Sequence, residues 1–214
     1  MIHLTRLPEP QYLIDHKEDW LKTFLASNAK RPNNRQYGHE QIRIVLNTIS
    51  HNKCFYCERL LKDTKEEVDH HIEVSEVRDQ AFEWDNLYCS CDNCNSKIDN
   101  IGIPVSTVLN PFVNSDAEIE ANITFDKEVI RINNKSDLGE RTIRKYRLNS
   151  KHLDYLRSQY IMQFYDDYTD ILEKINQEQR DINDEEKESL VKYSYPDQPF
   201  SLMFKVLLRK KNLL

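Results

Sequence analysis

Glycine, long apolar runs and leader-like features are scarce in this sequence, and each shortage closes off a class of protein. Three glycines in 214 residues leave no Walker A loop, whose glycines let the backbone wrap a nucleotide phosphate. No apolar run approaches the length that crosses a bilayer. The opening MIHLTRLPEP has no signal-peptide core, so the expectation is a cytoplasmic protein with no membrane association. Repeats and low-complexity linkers are missing too. A chain of this length buries one substantial core, and one compact unit is expected.

What is present is unevenly spread. The net charge of −6 is concentrated in residues 54–100, with five basic against twelve acidic residues, whereas residues 1–53 carry eight basic against five acidic. Bound divalent metal would offset acid in the middle segment. Three basic clusters lie outside it: Lys30, Arg31 and Arg35; Arg141, Arg144, Lys145 and Arg147; and Arg209 to Lys211. Each is a solvated face or a phosphate contact. All five cysteines fall within residues 54–94. In a chain read as cytosolic that argues for metal over disulfides.

The apolar spacing predicts a short helix around Trp20, Leu21, Phe24 and Leu25, then a polar loop from Lys30 to Gln36. Ile42, Val45, Leu46 and Ile49 recur at i, i+3, i+4 and i+7, a helix opened by His39 and Glu40 that leads to the first cysteines. Asn122 to Phe125 and Val129 to Ile132 read as a hairpin around Asp126-Lys127-Glu128. Asn149 or Ser150 caps a long helix bearing Leu153, Leu156, Tyr160, Phe164, Tyr168, Ile171 and Ile175 on one face, read as core packing. Gln177 to Ser189 reads as exposed and polar, and the tail from Pro199 as an amphipathic helix.

Cys54-Phe55-Tyr56-Cys57 and Cys91-Asp92-Asn93-Cys94 are two C-x2-C knuckles separated by 33 residues. Four thiolates complete a tetrahedral zinc shell with no open position, so this ion would be structural. Cys89 is the odd one, read as a buried thiol, with a register in which it replaces Cys91 as the alternative. Between the knuckles lie Val68-Asp69-His70-His71-Ile72 and Trp84-Asp85-Asn86-Leu87, and Asn95 and Lys97 follow the second. Trp84 reads as a wedge against the rest of the chain, and Glu73, Glu76 and Asp79 as a solvated face.

The order C-x2-C, Asp-His, Asn-Leu, C-x2-C-Asn with a nearby lysine resembles the zinc-bearing HNH, or ββα-metal, nucleases. The resemblance implies an α+β fold: a ββα-metal core over residues 54–100 with a structural four-cysteine zinc, between a helical region at 1–53 and a hairpin followed by a helical region at 101–214. It also implies that His70 is the general base, that Asp69 and Asn95 hold a catalytic divalent cation such as Mg2+, and that Asn86 braces the loop between the strands. This division of labour suits phosphodiester hydrolysis, which needs an activated water and a cation for the developing phosphate charge. The family has an apolar residue after its catalytic histidine, where this chain has His71. Sliding the motif by one residue makes His70 a ligand and His71 the base. The first register is favoured because Asp69 then supplies an acidic ligand. Lys97 either contacts the scissile phosphate or caps local negative charge.

Leu4 to Pro10, the run Cys54 to Glu58, Leu109-Asn110-Pro111, Ile123-Thr124-Phe125, and Thr142-Ile143 with Leu148-Asn149 and Leu153 resemble a bacterial HNH subfamily. It contains the nucleases of Septu anti-phage defence systems, including those attached to retrons. That resemblance implies a DNA substrate (or RNA) and an ABC-type ATPase partner; with no Walker A motif in this chain, ATP would be handled elsewhere. Two readings from other classes compete. One is a non-catalytic zinc-organised module that binds nucleic acid or protein; the other is an adaptor that uses the tyrosine-rich helix.

Overall fold

The computed structural model describes residues 1–214. Pro10, which has no N–H to lose, precedes helix α1 (Gln11–Ala26), which buries Leu13 and Phe24. A single turn, α2 (Asn34–Tyr37), is capped by the Asn33 side chain. Helix α3 (Glu40–Ser50) starts at a His39 cap and buries Ile42, Leu46 and Ile49, the periodic positions of the sequence. It delivers the chain to the first knuckle. There Cys54 N–H donates to Arg59 O at 2.8 Å and Glu58 N–H to Cys54 O at 3.0 Å.

Glu58 closes that turn in the left-handed region, at φ 64°. A non-glycine residue there costs about 1–2 kcal/mol. Its buried carboxylate offsets this by accepting hydrogen bonds from Ser201 Oγ at 3.0 Å and Leu202 N–H at 3.2 Å, at the start of the last helix.

Strands β1 (Glu66–His70) and β2 (Leu87–Cys91) pair antiparallel, with Asp69 opposite Tyr88 and His70 opposite Leu87. Every residue of β2 is buried, so this strand runs through the core and is not half-solvated. One turn, α4 (Asp92–Asn95), follows directly, which completes strand, loop, strand and helix in 30 residues (66–95). The remaining elements are α5 (Asp116–Asn122), the hairpin β3 (Ile123–Asp126) and β4 (Val129–Ile132), α6 (Asp137–Lys145), α7 (Lys151–Glu178), α8 (Asp184–Val191) and α9 (Ser201–Lys210). The buried apolar side chains form one continuous cluster, drawn from all these regions.

Several elements differ from expectation. Helix α1 begins nine residues before Trp20, because Leu13 supplies a buried anchor far from the obvious apolar group. The polar stretch after Gln177 contains α8, secured by a capping box between Asn183 and Glu186 and by the buried Leu190. Ser150 is the cap of α7. No helix is long and apolar enough to cross a membrane.

Candidate active site and metal centre

The two knuckles meet. The Sγ atoms of Cys54, Cys57, Cys91 and Cys94 all lie within 4.8 Å of one another and all four residues are buried. Tetrahedral zinc with Zn–S of about 2.3 Å requires sulfurs about 3.8 Å apart, and Cys57 and Cys91 stand at 3.7 Å. The set therefore fits a four-thiolate ion in both donor chemistry and spacing. Cys89 lies outside it, its thiol donating to Asn47 Oδ1 at 3.3 Å.

Adjacent strand residues point to opposite faces, and the end of β1 with the residue after it uses this to separate three titratable groups, Asp69, His70 and His71. Asp69 is turned inward and only 6% exposed. Its Oδ2 accepts from the Tyr56 hydroxyl at 2.8 Å. Tyr56 is the central tyrosine of the first knuckle, so the thiolate cluster and β1 are tied through one side chain. The Lys97 ammonium donates to both Asp69 oxygens, at 2.6 and 2.5 Å, and to His70 O at 2.5 Å. With the Lys97 side chain 4% exposed, it caps charge and does not face solvent.

His71 shares the inner side with Asp69. It stacks on Tyr88 at 4.3 Å, within a group that includes Tyr56 and Tyr146. Burial, with Lys97, Lys145 and Arg6 nearby, lowers its pKa to about 3. His70 projects the other way and is half-buried. Its Nε2 lies 2.8 Å from Ala81 O. A carbonyl only accepts, so the proton sits on Nε2 and Nδ1, which has no partner within the chain, carries the free lone pair. The edge of Tyr37 packs on the same ring, with centroids 4.6 Å apart. Burial lowers the proton affinity of His70.

Asn86 spans the loop between the strands. Its Oδ1 accepts from Ile72 N–H at 2.7 Å, while Nδ2 donates to Ile72 O at 3.0 Å and Gln80 O at 3.2 Å. Its own carbonyl accepts from His71 N–H at 2.9 Å. The loop thereby holds Ala81 O against His70. Asn95 ends α4 with an exposed side chain that makes no hydrogen bond within the chain, to Asp69 or to any other residue. Trp84 is buried and donates from Nε1 to Leu7 O at 2.9 Å, which pins the opening segment to the strand loop.

Sequence reasoning missed four contributors. Tyr56 lay inside the first knuckle and Tyr37 just past the polar loop, but no spacing rule pointed a tyrosine at a histidine or a carboxylate. Lys145, read as part of a surface cluster, is fully buried and donates to Ile98 O and Ile103 O. Glu73, read as solvated, is half-buried, with Lys97 and Lys145 each 3.9 Å from its Oε1.

Residues 54–100 match the family model described as HNH endonuclease. The chain thus carries an HNH endonuclease domain, built on the strand pair, α4 and the thiolate cluster. Among curated proteins it is similar to Septu protein PtuB of Bacillus thuringiensis, 32% identical over 117 residues. The match covers 54% of this chain and 44% of that relative, so the chain spans less than half of the relative's length.

Proposed function

We propose that the chain is a divalent-metal-dependent endonuclease that hydrolyses DNA as the effector of an anti-phage defence system, working with an ABC-type ATPase. The observation that carries the reading is the Ala81 carbonyl on His70 Nε2. It fixes the neutral tautomer and leaves Nδ1 to take a proton from an attacking water. His71 is less suited to that task because it is enclosed by aromatic rings. Asn86 keeps the Ala81 carbonyl in place and so orients the base indirectly. The likeness to a Septu protein supports the defence setting.

Zinc in the four-thiolate cluster would have a closed shell and act structurally. The oxygen donors of Asp69 and Asn95 suit a hard divalent cation, which when bound would neutralise charge developing on the phosphate. As folded, Asp69 is already satisfied by Lys97, so a cation at this carboxylate takes the place of the ammonium. That pairing is also the one observation that favours a second reading, a zinc-organised binding module without catalysis.

Plasmid nicking by the pure protein separates the two, run with Mg2+ or Mn2+, with and without the ATPase, and with single-stranded RNA in parallel. The nuclease reading expects divalent-dependent DNA cleavage that His70→Ala abolishes while zinc content is kept. Cleavage retained by His70→Ala and lost in His71→Ala moves the base by one residue. Cleavage retained by both variants, or no cleavage with the ATPase present, refutes the reading.

A further inference from the structure

The three basic clusters of the sequence meet different fates in the fold. Arg209 pairs with Glu120, Lys210 donates to Phe125 O at 2.9 Å, and Lys211 lies over the Tyr165 and Tyr168 rings. Lys145 is buried, and Arg144 stands 3.9 Å from Glu140. Arg141 and Arg147 stay exposed without a partner, but only in the set Lys30, Arg31 and Arg35 is every member free. All three are exposed, and none of their side chains makes an ion pair or hydrogen bond within the chain.

This free cluster is held beside His70 at both ends. At its root, Arg78 donates to Ala29 O at 2.8 Å, to Phe24 O at 3.1 Å and to Ser27 O at 3.3 Å, with its guanidinium 4.2 Å from the Phe24 ring centroid. Arg78 belongs to the strand loop that also presents the Ala81 carbonyl to His70. At the far end, α2 closes on Tyr37, whose edge meets the His70 ring. Pro32 is buried between these anchors. A loop without a local purpose would not need three anchors to carry three unneutralised cations.

We propose that Lys30, Arg31 and Arg35, outside the HNH segment, form the phosphate-contacting rim on the His70 side of the site, with a nucleic-acid backbone as their ligand. The proposal rests on the nuclease reading. The acidic balance of residues 54–100 repels a polyanion, so an incoming backbone needs cations at the edge of that segment. These side chains supply them without breaking any internal pair.

The test measures binding apart from cleavage. The zinc-loaded full chain carrying His70→Ala is titrated against a fluorescent DNA duplex at several salt concentrations. Adding Arg31→Ala and Arg35→Ala is expected to weaken binding roughly tenfold at low salt and to reduce the slope of log affinity against log salt by about 1.8, from about 0.9 per phosphate contact. Arg31→Lys with Arg35→Lys should keep most of both. Arg141→Ala with Arg147→Ala removes the same charge from exposed positions elsewhere and should change neither by more than about a third of that. Equal losses in the two alanine pairs overturn the proposal, as does unchanged binding in Arg31→Ala/Arg35→Ala, and both leave the nuclease reading standing if the parent chain cleaves DNA. If the variants bind duplex like the parent but fail to bind an acidic partner protein, the rim is a protein contact and the proposal fails. Absence of DNA binding and cleavage by the parent, ATPase included, overturns the nuclease reading and this one with it.

Discussion

Lys97→Met removes the ammonium from Asp69 while keeping an unbranched apolar stem of similar length. Both side chains are nearly inaccessible, 4% and 7% exposed, so water does not replace the lost partner. Of the contacts on the carboxylate, only the Tyr56 hydroxyl at 2.8 Å remains. Breaking a buried pair by deleting one partner costs about 3–5 kcal/mol, whereas replacing both is close to neutral. For a chain of this length each kcal/mol moves Tm by about 2–4 °C, so Lys97→Met should melt about 6–20 °C below the parent. Lys97→Met with Asp69→Asn should recover most of that loss. If a divalent cation takes the ammonium's place, Mn2+ should rescue the single variant more than the parent. Saturation at a hundred times Kd adds about 2.7 kcal/mol. The assay is thermal unfolding with and without Mn2+, with zinc content monitored throughout. Parent-like stability of Lys97→Met, or a double variant as unstable as the single, would refute the buried-charge argument. Equal Mn2+ rescue with and without Asp69 would refute this carboxylate as a ligand.

Stripping the four-thiolate cluster with a strong chelator should abolish cooperative unfolding seen by circular dichroism, because binding to a structural thiolate site is part of the folding free energy; removing added Mg2+ should leave the melt unchanged. His71→Phe keeps the stack on Tyr88 and should retain the fold and any cleavage, whereas His71→Ala should lose about 2–4 kcal/mol in urea unfolding through a core cavity. Asn86→Ala deletes three hydrogen bonds to part-buried backbone groups of the loop, a loss of about 3 kcal/mol at about 1 kcal/mol for each; its cleavage rate should fall beyond what the residual folded fraction explains.

The legible parts of this molecule are those with a short-range physical rule. Two C-x2-C turns must bring two thiols each to one point, and their meeting follows from tetrahedral valence. Helix α3 and the long α7 announce themselves by period and cap, with His39 and Ser150 at their starts. The hairpin β3–β4 has alternation and a two-residue turn between Asp126 and Val129. Helix α8 was hidden because its stability rests on one buried leucine and a capping box, inside a stretch whose composition reads as solvent-facing.

The site divides along the same line. Residue types and order within 54–100 were readable, since adjacent strand residues must face apart. The partners that give those residues their states come from elsewhere in the chain, and no local pattern encodes them. Tyr37 reaches His70 across 33 positions of sequence, and Lys97 reaches Asp69 across 28. Surface charge shows this best. Three clusters of similar composition look equivalent in the sequence, yet one is consumed by Glu120 and aromatic rings and another loses Lys145 to the core. Which cations remain free to meet a polyanion is decided by which acids the fold leaves beside them. Only the tertiary structure singles out Lys30, Arg31 and Arg35, and it does so by pinning their loop with Arg78, a residue of the very loop whose Ala81 carbonyl hydrogen-bonds His70.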